Sequence, residues 1–187
     1  MRKQLLSALF ITSIISIPTV QAHDDIKLGK STLSAGYAQI KPEGQNPMHG
    51  GSISFRQELN QQFGLVVTGT YAQKEYDFDK PAKEILKNVD TRYYSVMAGP
   101  TLRLNDFISV YGTAGISQIQ MKNIHGKDIK QEKIKKNAFS WGAGLMINPV
   151  EMVSISIGYE NSRYKIKQIS DNRMVVDGFV ANIGYRF

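Results

Sequence analysis

Six stretches of the chain alternate apolar residues with small or polar ones at a period of two. Phe63, Leu65, Val67, Gly69 and Tyr71 share one parity, against Gly64, Val66, Thr68 and Thr70 on the other. The alternation returns over Tyr93–Leu104, Ile108–Ser117, Phe139–Ile147, Val153–Glu160 and Phe179–Phe187. Weaker versions run over Leu33–Ala38 and Ile53–Leu59. Successive side chains of a strand point to opposite faces, so each stretch predicts a strand with one apolar face. No sustained helical period competes, and the total is eight strands. The short connections Asn60-Gln61-Gln62, Asn105-Asp106 and Asn148-Pro149-Val150-Glu151 are rich in turn formers. They alternate with long polar segments at about Lys41–His49, Asp77–Asp90, Met121–Lys136 and Lys165–Arg173.

Eight alternating strands fit a soluble barrel, apolar inside, or a membrane barrel, apolar outside. Residue size separates the two. The small or polar parity carries Gly64, Gly99, Gly115, Gly142, Gly144, Gly158 and Gly184 among many Ser and Thr. An eight-strand interior is narrow and must be filled by its own side chains, which suits that parity. The apolar parity has no charge within its spans, as a lipid-facing surface demands, because Lys or Arg at the bilayer midplane costs about 2–4 kcal/mol. Aromatics near the stripe ends (Phe63, Tyr71, Tyr94, Phe139, Trp141, Tyr159, Tyr185 and Phe187) match the girdles of such barrels. The predicted fold is all-β: an eight-stranded antiparallel transmembrane β-barrel with short periplasmic turns and long extracellular loops.

The mean hydropathy of −0.26 excludes a bundle of membrane helices but not this barrel, because alternation averages out. The amino-terminal end reads as an address. Arg2 and Lys3 precede a 13-residue apolar run, Leu5–Ile17, then Pro18 and Val20-Gln21-Ala22. Thirteen helical residues reach about 20 Å, short of the roughly 30 Å of a bilayer core. This predicts a signal peptide over residues 1–22, cleaved after Ala22, and a barrel over 23–187. Removing it lowers the formal charge from +7 by two, to +5. The absence of cysteine excludes a lipid-anchored Cys, a disulfide framework and a thiolate centre.

On the interior parity lie Arg56, Glu58, Arg103, Glu160 and Arg186. Unpaired charges in a narrow lumen are costly, so these are expected to form one Arg–Glu network joined by Tyr93 and Tyr111. Glu160→Gln is then expected to destabilise the barrel. The other use of such charges is an ion or proton path.

Several short motifs resemble one family in order and spacing. They are Ala98-Gly99-Pro100 with Arg103 and Asn105-Asp106, Ser109-Val110-Tyr111-Gly112, and Gly142-Ala143-Gly144-Leu145 with Asn148-Pro149. Gly158-Tyr159-Glu160-Asn161-Ser162-Arg163 and Gly184-Tyr185-Arg186-Phe187 complete the set. The chain resembles the Ail/Lom/OmpX family of enterobacterial outer-membrane proteins over nearly its whole predicted mature length. The resemblance implies the same barrel in the bacterial outer membrane, and a terminal Phe that looks like an assembly signal. It implies adhesion to host cells or matrix, invasion or complement resistance through the loops, although some members have no assigned activity.

The loops supply the candidate chemistry. Lys122, Lys127, Lys130, Lys133, Lys135 and Lys136 stand against Asp128 and Glu132, a net +4. Such a patch favours polyanions: sulfated glycans, acidic matrix proteins or lipopolysaccharide phosphates; complement regulators are partners that the resemblance implies. The same composition fits a solvated loop with no ligand. Ile85-Leu86 reads either as a contact for a protein partner or as a helical turn packed on the rim. Nucleic acid is excluded by compartment and by the lack of interleaved aromatics. His23, His49 and His125 are scattered and no catalytic or metal motif appears, so no enzyme, metal or cofactor is expected. The expected function is a monomeric adhesin or serum-resistance protein. The alternatives are a structural protein whose loops touch lipopolysaccharide and, third, a lipid-modifying enzyme or protease.

Overall fold

The computed structural model describes residues 29–76, 89–123, 133–165 and 173–187. Eight strands run in chain order: β1 (Ser31–Pro42), β2 (Met48–Glu58), β3 (Phe63–Tyr76), β4 (Val89–Arg103), β5 (Ile108–Asn123), β6 (Lys133–Val150), β7 (Val153–Lys165) and β8 (Arg173–Arg186). Each pairs antiparallel with the next, and β1 pairs with β8 to close a barrel. Closure leaves no sheet edge, so the backbone groups of the wall are paired within the wall, as a lipid environment requires. At the seam, Ser31 and Phe187 exchange main-chain hydrogen bonds of 2.8 Å.

The faces follow the parity of the sequence. Ile116 is 69% exposed on the outer surface while its neighbour Ser117 is 2% exposed in the lumen. Leu33, Ile53, Leu65, Val96, Leu145, Ile157, Phe179 and Ile183 also face outward, and Ser34, Ser54, Ser95, Ser140, Ser156 and Asn182 face inward. Tyr111 lies across Gly144, where a Cβ would come 2.6 Å from its ring, and closer still across Gly158. The missing side chains of the lumen are therefore the seats of its large ones.

Two short turns are built alike. Asn60 Oδ1 accepts from the main-chain N–H of Gln62 and Phe63, and Asn105 Oδ1 from those of Phe107 and Ile108. An asparagine that holds its own following backbone is a ready turn former, which is why both hairpins begin Leu-Asn. The third short turn is tighter than expected. β6 continues through Asn148 to Val150 past a register shift, leaving Glu151 and Met152 as the turn.

At the opposite end the strands are longer than the sequence pattern suggests. β1 and β2 leave only residues 43–47 between them, where a long loop over Lys41–His49 is expected, and Gly44 takes a positive φ of 72°. Lys122 and Lys133 are paired strand residues, and Lys135 and Lys136 also belong to β6, so four of the six lysines of the expected loop are in the wall.

Candidate functional site

Two regions concentrate charged and polar groups, one inside the barrel and one on its rim. Glu58 is the centre of the first. Arg56 lies two residues away on the same face of β2, while Arg103 ends β4 and Arg186 ends β8. Arg186 grips Glu58 with two prongs, Nε to Oε1 at 3.1 Å and Nη2 to Oε2 at 3.0 Å. Arg103 Nη2 lies 2.6 Å from Oε1, and Arg56 Nη2 lies 3.6 Å from the same oxygen. Arg56 also donates to Ser109 Oγ at 3.1 Å. Four side chains from β2, β4 and β8 thus close the lumen on the side of the short turns.

Glu160 is not part of this cluster, contrary to the expectation of a single network. It makes no ion pair among the described residues. Its oxygens accept from Thr70 Oγ1 at 2.7 Å and Ser95 Oγ at 3.1 Å. Tyr93 does not bridge to an arginine either. Its hydroxyl shares a 3.0 Å hydrogen bond with Ser162, which bonds Ser140 at 2.7 Å. The physical reason is height: Glu160 is opposite Gly142 and Gly178, well along the wall from Glu58 opposite Gly64. Beside Glu160 lies a cavity of about 10 Å³ lined by Thr68, Tyr111, Gly158 and Asn182 among others. That volume has room for a single water.

Further towards the long connections, the lumen is apolar. Ile40, Met48, Ala72, Tyr93, Ile119, Tyr164 and Val176 form a buried cluster. Tyr164 is anchored by its hydroxyl donating to Ser117 Oγ at 2.6 Å. The sequence pattern places Tyr93 inside, but not Ile40, Met48, Ile119, Tyr164 or Val176.

The rim is the second region. Aromatic pairs mark the outer wall: Tyr71 with Tyr94 at 5.0 Å between ring centroids, and Tyr159 between Trp141 at 6.0 Å and Phe179 at 5.5 Å. Tyr37 stacks on His49 and hydrogen-bonds its Nδ1. Beyond the rings the outward positions become polar. Cross-strand pairing joins Lys135, Gln120, Arg92, Gln73, His49 and Gln39 in one row around the wall. Lys41 and Arg163 stand outward at the same end, Lys41 opposite Asp177. Lys135 and Lys136 are exposed. The basic residues Lys41, Arg92 and Arg163 were legible only as polar residues on the outward parity beyond the aromatics.

Of the other candidate residues, Lys127, Lys130, Ile85 and Leu86 lie outside the described residues, as do His23, His125 and the predicted signal segment. Among the described residues no group of three His, Asp or Glu side chains is placed to hold a metal ion.

Comparison with known proteins fits both regions into one frame. The family model for the outer membrane protein beta-barrel domain matches residues 8–187. Outer membrane protein X of Escherichia coli K12 is 33% identical over 159 residues, covering 84% of this chain and 85% of that protein. The attachment invasion locus protein of Yersinia pseudotuberculosis is 31% identical over 188 residues and covers 96% of each. A crystal structure of Ail, the attachment invasion locus protein of Yersinia pestis, in complex with the heparin analogue sucrose octasulfate, superimposes with a TM-score of 0.68 at 28% identity. It covers 85% of this chain and 99% of that one.

Proposed function

The chain belongs to the outer membrane protein β-barrel family, and on that premise we propose that it is an adhesin of the bacterial surface whose basic rim and loops bind sulfated glycans of host cells or matrix. Exposed Lys135 and Lys136, at the end of the wall where outward Lys41, Arg92 and Arg163 also collect, carry this reading. Sulfate esters present several acceptor oxygens and fixed negative charge, which guanidinium and ammonium groups recognise. A related barrel binds a heparin analogue, which supports the same ligand class here. The family places the protein in the outer membrane; in this reading it is exported with Met1–Ala22 removed and acts as a monomer without cofactor or catalysis. Complement regulators and protein ligands, with Ile85 and Leu86 as contacts, are further partners of the same surface.

The test replaces Lys122, Lys127, Lys130, Lys133, Lys135 and Lys136 with Ser and measures retention on immobilised heparin and adhesion to cultured host cells. Both fall if the reading is right. Unchanged retention and adhesion overturn it in favour of the second reading, a structural protein whose rim touches lipopolysaccharide. That reading draws on the position of Lys41, Arg92 and Lys135 directly beyond the aromatic girdle, at the level of lipid headgroups.

A further inference from the structure

The cluster at the short-turn end of the lumen is out of balance. Three guanidinium groups meet one carboxylate, a formal excess of two positive charges. Among the described residues no side-chain carboxylate other than Glu58 pairs with these arginines. Glu151 pairs outside the wall with Lys30 at 3.1 Å, and Glu160 is held by Thr70 and Ser95. Phe187, next to Arg186, points outward, and its main-chain oxygen accepts from Ser31 N–H.

Hydrogen-bonding capacity is in surplus at the same place. Arg56 is 3% exposed, yet its Nε and Nη1 have no hydrogen-bond partner among the described residues. The same holds for Arg103 Nε, for the hydroxyls of Thr32 and Thr101, and for the side-chain amide of Asn148. Register gathers these groups. Thr32 stands between Arg56 on β2 and Arg186 on β8, Arg103 is opposite Ser109, and Asn148 follows the Met146 that faces Ser109. Buried N–H groups in native proteins are paired almost without exception, and buried charges are compensated. Here both rules fail in one spot: apart from Asn148 Oδ1, every surplus group can donate, and the surplus charge is positive.

We infer that this end of the lumen is a binding site for a small inorganic anion, a halide or phosphate-type oxyanion, held between Arg56 and Arg103. Both side chains already reach the same Glu58 oxygen, so one ion touches both. Arg103 is 19% exposed where Arg56 is 3%, which makes it the entry side and the periplasm the source. The anion supplies the missing negative charge, takes the free N–H groups and completes the closure of the barrel at its periplasmic mouth.

The experiment uses the full-length mature barrel refolded in detergent micelles, with Trp141 fluorescence reporting thermal unfolding. Sodium bromide, sodium phosphate and sodium gluconate are compared at equal ionic strength, gluconate being too bulky for the lumen. Phosphate strengthens folding generally as an excluded salt. Bromide has no such general effect, so a bromide response isolates the site. The expected result is a saturable rise of several degrees in bromide over gluconate, lost in Arg103→Gln and in Arg56→Gln. Arg103→Gln changes the partly exposed group, so it reads the site even if Arg56→Gln does not refold. Crystals soaked in bromide are expected to give an anomalous peak between the two arginines. Equal midpoints in bromide and gluconate, or a bromide response that survives Arg103→Gln, overturns the inference.

Discussion

The two ends of the lumen fill the same narrow space by opposite means. Towards the long connections the interior is Ile40, Met48, Ala72, Ile119, Tyr164 and Val176. Towards the short turns it is Glu58 with three arginines. The outer surface explains the difference. Around the apolar plug the wall faces outward with Gln39, His49, Gln73, Arg92 and Lys135, as a protein does in water. Water outside makes apolar burial inside favourable. Around the lumen's middle the outer surface is Val67, Val96, Ile116 and Leu145 facing acyl chains. There an apolar interior gains nothing over an apolar exterior, and polar groups that satisfy one another serve equally well. The barrel is a membrane protein for part of its height and a soluble barrel above that.

Glu58→Gln gives the largest expected effect, because among the described residues it removes the one carboxylate that pairs with Arg56, Arg103 and Arg186. Breaking a buried ion pair from one side destabilises by about 3–5 kcal/mol. Urea unfolding of the refolded barrel in lipid vesicles, followed by Trp141 fluorescence, reads the loss. A change below about 1 kcal/mol would mean that the arginines are already neutralised without Glu58.

Next comes the apolar end. Ile40→Ala leaves a cavity among Met48, Tyr164 and Val176, at a cost of about 2–5 kcal/mol, most of it at the low end if the plug relaxes. Tyr164→Phe loses only the hydrogen bond to Ser117, about 1 kcal/mol. If the two ends differ as argued, Ile40→Ala loosens the long-connection end first, seen as faster amide exchange in β1 and β2 near Met48, with the Glu58 end still protected. Uniform exchange along the wall would erase the distinction.

Glu160→Gln sharpens the comparison from the middle. An acid expected to belong to the arginine network instead accepts from Thr70 and Ser95. A glutamine keeps an acceptor there and removes a buried carboxylate that no cation balances among the described residues. Its unfolding free energy is expected to stay within about 1 kcal/mol of the parent. A loss as large as that of Glu58→Gln would show the two acids to be coupled after all.

These cases also show how far the pattern of residues could be read. Parity assigned Arg56, Glu58, Arg103, Glu160 and Arg186 to the inner face, since a period of two is all that side requires. Parity carries no information about height along the wall. Height comes from register, which set Glu160 opposite Gly142 and left it remote from Glu58. The apolar plug was missed for a different reason. The apolar parity gives way to Gln39, Gln73 and Gln118, where the sequence pattern ends its strands. The period of two continues past those residues with its sign reversed, polar outward and apolar inward, so Ile40, Ile119 and Tyr164 belong to the wall. The lysine segment shortened by the same rule, because Lys133–Lys136 continue β6 beyond the lipid.

The smallest effect on stability is expected where the effect on binding is large. Lys135 and Lys136 are exposed at the soluble end of the barrel. Exposed substitutions of this kind usually change stability by no more than about 0.5 kcal/mol. Lys135→Ser with Lys136→Ser should therefore unfold in urea like the parent. Retention on heparin should nevertheless drop, and the elution salt should move down, because each lost cation removes a screened attraction to sulfate. Unaltered elution at unaltered stability would leave these lysines as solubilising groups on a protruding strand. Weakened elution with a destabilised barrel would mean that they support the wall at Gln120 and Ile119, their cross-strand partners, and act on binding only through it.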